Sequence, residues 1–104
     1  MHIQFNSGNN VAYNKELKES LILLISDELN RFDDFITRLE VHLSDEDGKK
    51  NGQKDKRCLI EARFKGLQPI AVSDQADTHE FAVIGAVEKL KSSLNTISGR
   101  KKKY

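Results

Sequence analysis

The chain has 104 residues, 38% of them hydrophobic and 32% charged, with a formal net charge of +1. That suits one folded domain that can bury a core without covalent staples. The near-neutral balance argues by itself against a polyanionic partner, the single cysteine excludes an intramolecular disulfide and fits a reducing cytoplasm, and no apolar run is long enough for a membrane span.

No basic segment followed by an apolar core marks an export signal at the N-terminus. His2 to Asn6 alternates Ile3 and Phe5 with polar neighbours, which predicts a short strand; Ser7 to Asn10 is turn chemistry around Gly8. Asn14 can cap a helix running to about Arg31. Leu17, Leu21, Leu24, Ile25, Leu29 and Phe32 form its apolar stripe, Ile22 lies at the margin, and Leu23 projects to the opposite side. Asp33 and Asp34 end the element.

The stretch from Arg38 to Gly66 organises the rest. Leu39, Val41 and Leu43 alternate with Glu40, His42 and Ser44; Cys58, Ile60, Ala62 and Phe64 alternate with Arg57, Leu59, Glu61, Arg63 and Lys65. Period-two alternation gives one apolar and one polar face, as in a half-buried antiparallel hairpin. The loop from Asp45 to Lys56 starts acidic and turns basic, with Gly48 and Gly52 for turns. Gly66 to Gln68 makes a turn. Pro69 opens a third run, Ile70 to Ser73, and suits an edge strand.

Asp77 starts a second helix, with Asp77 and Glu80 at capping-box spacing. Val83, Ala86, Val87, Leu90, Leu94 and Ile97 make its buried stripe, Phe81 falls off it, and Gly99 ends it. Gly85 in mid-helix costs about 1 kcal/mol relative to Ala, which close approach to a strand would explain. Residues 1–98 thus make one domain and 99–104 a basic tail. The fold class is α+β, ordered β-α-β-β-β-α: a four-stranded mixed sheet with both helices on one face and the first two strands parallel. The other face carries Arg38, Glu40, His42, Arg57, Glu61, Arg63 and Lys65.

Two segments carry concentrated positive charge. Lys49, Lys50, Lys54, Lys56 and Arg57 against Asp55 leave a local excess of four in the hairpin loop. Arg100, Lys101, Lys102 and Lys103 follow the second helix. Mobile cations of this kind reach phosphate, and the same residues also serve simply as a solvated loop and tail. On the open sheet face Glu40 and Glu61 are expected to neutralise Arg63 and Lys65 across strands, and without an aromatic ladder base stacking is disfavoured. A metal or nucleophile pairing of His42 with Cys58 fails because alternation points them apart. Asp45, Glu46 and Asp47 lack the glycine and glutamate positions of a calcium loop, and no phosphate-binding glycine motif or serine elbow is found. No metal, cofactor, catalytic residue or small-molecule substrate is expected.

The runs FITRLEVHLSDEDGKKNGQKDKRCLIEARFKGLQPIAV and AVIGAVEKL carry a resemblance. Over about residues 2–100 the chain resembles the ribosome hibernation-promoting factors and ribosome-associated inhibitors, also called sigma-54 modulation proteins, in a short bacterial form. The resemblance implies a fold related to double-stranded RNA-binding domains, and binding to the small ribosomal subunit and its RNA where messenger and transfer RNA would sit. It implies no catalysis. Lys89-Leu90 matches the family's "KL" motif, so Lys89, with Lys91, joins the expected RNA contacts. Ile84 stands where an acid is common, and Ser92, Ser93 and Thr96 stand where arginine and lysines are expected. The long form's dimerisation domain is not visible, which sets a monomer off the ribosome as the expected state.

The expected function is therefore a cytoplasmic translation inhibitor of stationary phase or stress that occludes the tRNA and mRNA sites. The alternatives are a double-stranded RNA-binding module acting off the ribosome and a protein-interaction module using Leu23 and Phe81.

Overall fold

The computed structural model describes residues 1–8, 14–45 and 56–102, those from 98 on by backbone alone. The elements are β1 (His2–Ser7), α1 (Lys15–Glu28), β2 (Ile36–Asp45), β3 (Lys56–Phe64), β4 (Ile70–Ala76) and α2 (His79–Lys102), with a 3-10 turn at Asn30–Phe32. The sheet order is β1-β2-β3-β4; β1 is parallel to β2, and the other two pairings are antiparallel. The β-α-β-β-β-α order and the mixed sheet are as the alternation and stripes require.

The reason is visible in the burial. Leu39, Val41, Leu43, Cys58, Ile60 and Ala62 are all at most 1% exposed. They meet Leu21, Ile25 and Leu29 of the α1 segment and Val83, Ala86, Val87, Leu90 and Leu94 of α2 in one core. Fully burying a side chain of this kind contributes about 1.5–3 kcal/mol, so a single stripe on each helix is enough to hold it to the sheet. Ala82 joins the buried set, while Ile97 is only half-buried.

Local chemistry sets the ends of the elements. Asn14 Oδ1 accepts from the Leu17 N–H at 2.8 Å, the expected cap of α1. α1 stops at Glu28, short of Arg31, and the chain tightens into the 3-10 turn that buries Phe32. Thr78 stands at the cap position of α2, one residue after Asp77: its Oγ1 accepts from the Phe81 N–H at 3.1 Å and its carbonyl from the Ala82 N–H. β4 extends three residues past Ser73, to Ala76. Gly99 does not end α2, which continues to Lys102, so 99–102 extend the helix rather than forming a separate tail. The turn at Gly66 uses the freedom of glycine, with φ at 75°.

Gly85 does have a close neighbour. A Cβ there would stand 2.6 Å from Cγ and 3.1 Å from Cβ of Asp74 on β4. The edge strand therefore lies against the helix where the side chain is missing.

Candidate nucleic-acid interface

The topology puts the Lys56 end of β3 and the Lys102 end of α2 at opposite ends of the domain. β2 and β3 enter and leave their loop at Asp45 and Lys56, and Lys56 also pairs with Ala76 at the end of β4. α2 starts from this end and runs back for 24 residues, about 36 Å at 1.5 Å per residue, so Arg100 to Lys102 lie at the far end. Lys49, Lys50, Lys54 and Lys103 fall outside the described residues, as do the side chains of Arg100, Lys101 and Lys102.

The remaining expected cations are held within the fold. Lys56 Nζ is 3.1 Å from Asp45 Oδ2 across the last register pair of the hairpin. Arg57 lies on the open face of β3, half-buried and engaged within the domain. Lys89 Nζ donates to the Ser73 carbonyl at 2.8 Å and sits 3.3 Å from Asp74 Oδ1. That fixes it to the carboxylate filling the space beside Gly85. Lys91 Nζ reaches Glu28 of α1 at 2.9 Å and Glu88 at 3.8 Å. The hydrogen bond to Glu28 leads in holding the Lys91 ammonium above its ordinary range. Lys91 thus ties the two helices beside a groove lined by Leu24, Glu28, Ile84, Val87 and Glu88. Exposed pairs such as Lys89–Asp74 contribute only about 0–1 kcal/mol, so a phosphate can compete for that lysine.

The open sheet face departs from the expected pairing. The register sets Glu40 directly opposite Glu61, and Arg38 opposite Arg63. The glutamates are not neutralised by Arg63 and Lys65. Glu40 Oε2 instead accepts from Arg38 Nε at 3.0 Å, and Glu61 Oε1 lies 3.1 Å from His42 Nε2. Like signs face like signs, so each carboxylate takes the nearest opposite or neutral group along or diagonal to its own strand. Gln4 Oε1 accepts from Arg38, and the Asn6 amide lies 3.5 Å from His42 Nδ1, which extends the network to β1. Glu40, His42 and Glu61 bring three ligand-type atoms within 4.8 Å of one another. Sequence reasoning missed this cluster, although alternation had already put all three residues on one face; the diagonal contact depends on register.

Cys58 lies on the other side of the sheet, completely buried. Burial and, secondarily, the Asp74 carboxylate push its thiol up to about 12. Protonated and enclosed, it is no nucleophile for His42 to activate. Leu23 and Phe81 are exposed at 67% and 60%. Among the described residues no helix is long and apolar enough to cross a membrane.

Comparison with known proteins joins these features to a family. The family model described as sigma 54 modulation protein / S30EA ribosomal protein matches residues 7–102. No curated protein matches the sequence significantly. Among solved structures, a ribosomal subunit interface protein from Coxiella burnetii superposes with a TM-score of 0.70 at 20% identity, covering 95% of this chain and 99% of its own. The Thermus thermophilus Protein Y N-terminal domain superposes with a TM-score of 0.72 at 18% identity, covering 93% and 99%. At these identities the superpositions show a shared fold.

Proposed function

This chain belongs to the sigma 54 modulation protein / S30EA ribosomal protein family, and we propose that it is a cytoplasmic ribosome-associated factor of the hibernation type. It binds the small subunit and its RNA and blocks the tRNA and mRNA sites by occupying them. The observation that carries this reading is the family match across residues 7–102, essentially the whole domain. The structural neighbour entitled a ribosomal subunit interface protein adds a ribosomal setting for the same fold.

The mechanism is occlusion by a rigid body, not catalysis. A two-layer domain with its helices anchored on one sheet face holds its shape against a moving competitor. Affinity comes from lysine and arginine contacts to phosphate, without base reading, and falls with salt as counterions are released. The loop cations Lys49, Lys50, Lys54, Lys56 and Arg57 act at one end, and Arg100, Lys101, Lys102 and Lys103 at the other. With α2 about 36 Å long, the domain spans an RNA cleft instead of touching it with one patch. Lys89, exchanging Asp74 for phosphate, adds to the contacts along α2, and Lys91 keeps α1 and α2 together.

Co-sedimentation with purified small subunits across a salt series, against a plain RNA duplex at the same salt, tests the reading. Saturable subunit binding that weakens with salt and exceeds duplex binding is expected, and K101E/K102E/K103E weakens it without unfolding the domain. Equal or stronger binding to the duplex would instead make this an RNA-binding module acting off the ribosome. No binding at low salt to either would refute both, and concentration-dependent self-association would then point to Leu23 and Phe81.

A further inference from the structure

From the open face of the sheet we infer a divalent metal site of the zinc class, formed by Glu40 and His42 of β2 and Glu61 of β3. It is independent of the ribosomal reading. β2 and β3 are the two central strands, so the ligands stand on the most firmly held backbone in the sheet. His42 Nε2 is 3.1 Å from Glu61 Oε1 and 3.8 Å from Glu40 Oε1. Ligand atoms about 2.1 Å from a tetrahedral zinc ion lie about 3.4 Å apart, so these separations bracket the required edge. Small side-chain rotations complete it, since the three atoms lie within 4.8 Å of one another.

The surroundings are those of a ligand set. Arg38 holds the other oxygen of Glu40, Oε2, and is itself held by Gln4, which leaves Oε1 directed at His42. Asn6 Nδ2 lies 3.5 Å from His42 Nδ1, and turning that amide over on metal binding would let its oxygen accept the Nδ1 proton and free the Nε2 lone pair for the ion. The opposed glutamates supply a further reason. Like charges in direct cross-strand register destabilise a sheet, and a divalent ion between them converts that repulsion into a bridge from β2 to β3. One imidazole with two carboxylates favours a borderline ion over magnesium, which takes oxygen ligands and keeps its waters. All three side chains are part-exposed on one side, so the remaining coordination positions take water.

Titration calorimetry of the chelator-treated full chain with zinc chloride, paired with thermal melting, tests the site. One saturable zinc per chain is expected, uncompeted by excess magnesium, with a melting temperature that rises with zinc because the ion binds the folded state. H42Q and E61Q should each weaken binding by at least about 100-fold, and N6A by about 10-fold, while H2Q leaves it unchanged. E61Q preserves side-chain size, so it stands as the control if H42Q melts early. The site is refuted if zinc uptake is not saturable, if H42Q and E61Q bind zinc as the parent does, or if H2Q alone abolishes binding.

Discussion

The two faces of the same four strands behave differently. On the covered face, Val41 and Ile60 sit opposite one another and vanish into a core, each 0% exposed. On the open face, one residue along each strand, Glu40 and Glu61 sit opposite one another with the same charge. Burial against a helix rewards any apolar residue of suitable size, so the covered face is determined by which side a residue takes. The open face is determined by which residue meets which, because charge interactions change sign with register.

That contrast can be tested by adjacent substitutions. Ile60→Ala should destabilise the domain by about 2–5 kcal/mol in urea unfolding, the range for a large-to-small core change. Glu61→Gln, the next residue, should stay within about 1 kcal/mol, since it gives up an exposed contact to His42 and removes a repulsion with Glu40. Equal losses would mean that the open-face network is as structural as the core.

Gly85→Ala probes the margin between the faces. Helix propensity favours alanine by about 1 kcal/mol. The new Cβ would stand 3.1 Å from Asp74 Cβ and closer to its carboxylate, which is held by Lys89. Overpacking of this kind costs about 1–3 kcal/mol, so a net loss of stability is expected, reduced in a D74A background. A simple gain in the parent would show that β4 yields without cost.

A separate effect, confined to alkaline solution, concerns pH. Cys58 is held at about 12 in the folded domain against 9.0 for a free thiol. The native state therefore keeps its proton while the unfolded chain ionises. Stability is fully present below pH 9.0 and declines between there and about 12, by up to about 1.4 kcal/mol per pH unit. Lys91, also held above its ordinary value of 10.5, contributes a loss of the same sign from that pH upward. Urea midpoints measured on either side of pH 9.0 should show the decline, and C58A should flatten its first part.

Particular residues show what the sequence made legible. Alternation assigned Leu39 to Ser44 of β2 and Arg57 to Phe64 of β3 to their faces, though Lys65 lies past the end of β3; Asn14 declared its cap, and an unexplained Gly85 pointed to a close strand, which proved to be β4 through Asp74. Capping-box spacing to Glu80 started α2 at Asp77, whereas the helix begins at His79 with Thr78 at the cap position. Gly99 signalled an end to α2, but glycine permits a helix to continue where no left-handed turn is imposed. The family resemblance put Lys89 and Lys91 among the expected RNA contacts, while their acidic partners, Asp74 and Glu28, stand 15 and 63 residues away in the chain. Local periodicity carries no information on such distant contacts. The Glu40–His42–Glu61 cluster escaped for the same reason.

Occlusion is the central claim, and competition measures it most directly. Small subunits saturated with this chain would be offered labelled tRNA with a short message, and bound tRNA would be followed as the chain is titrated. Mutual exclusion is expected: tRNA binding falls as the chain binds, and excess tRNA displaces the chain. Simultaneous binding of both at saturation would contradict it.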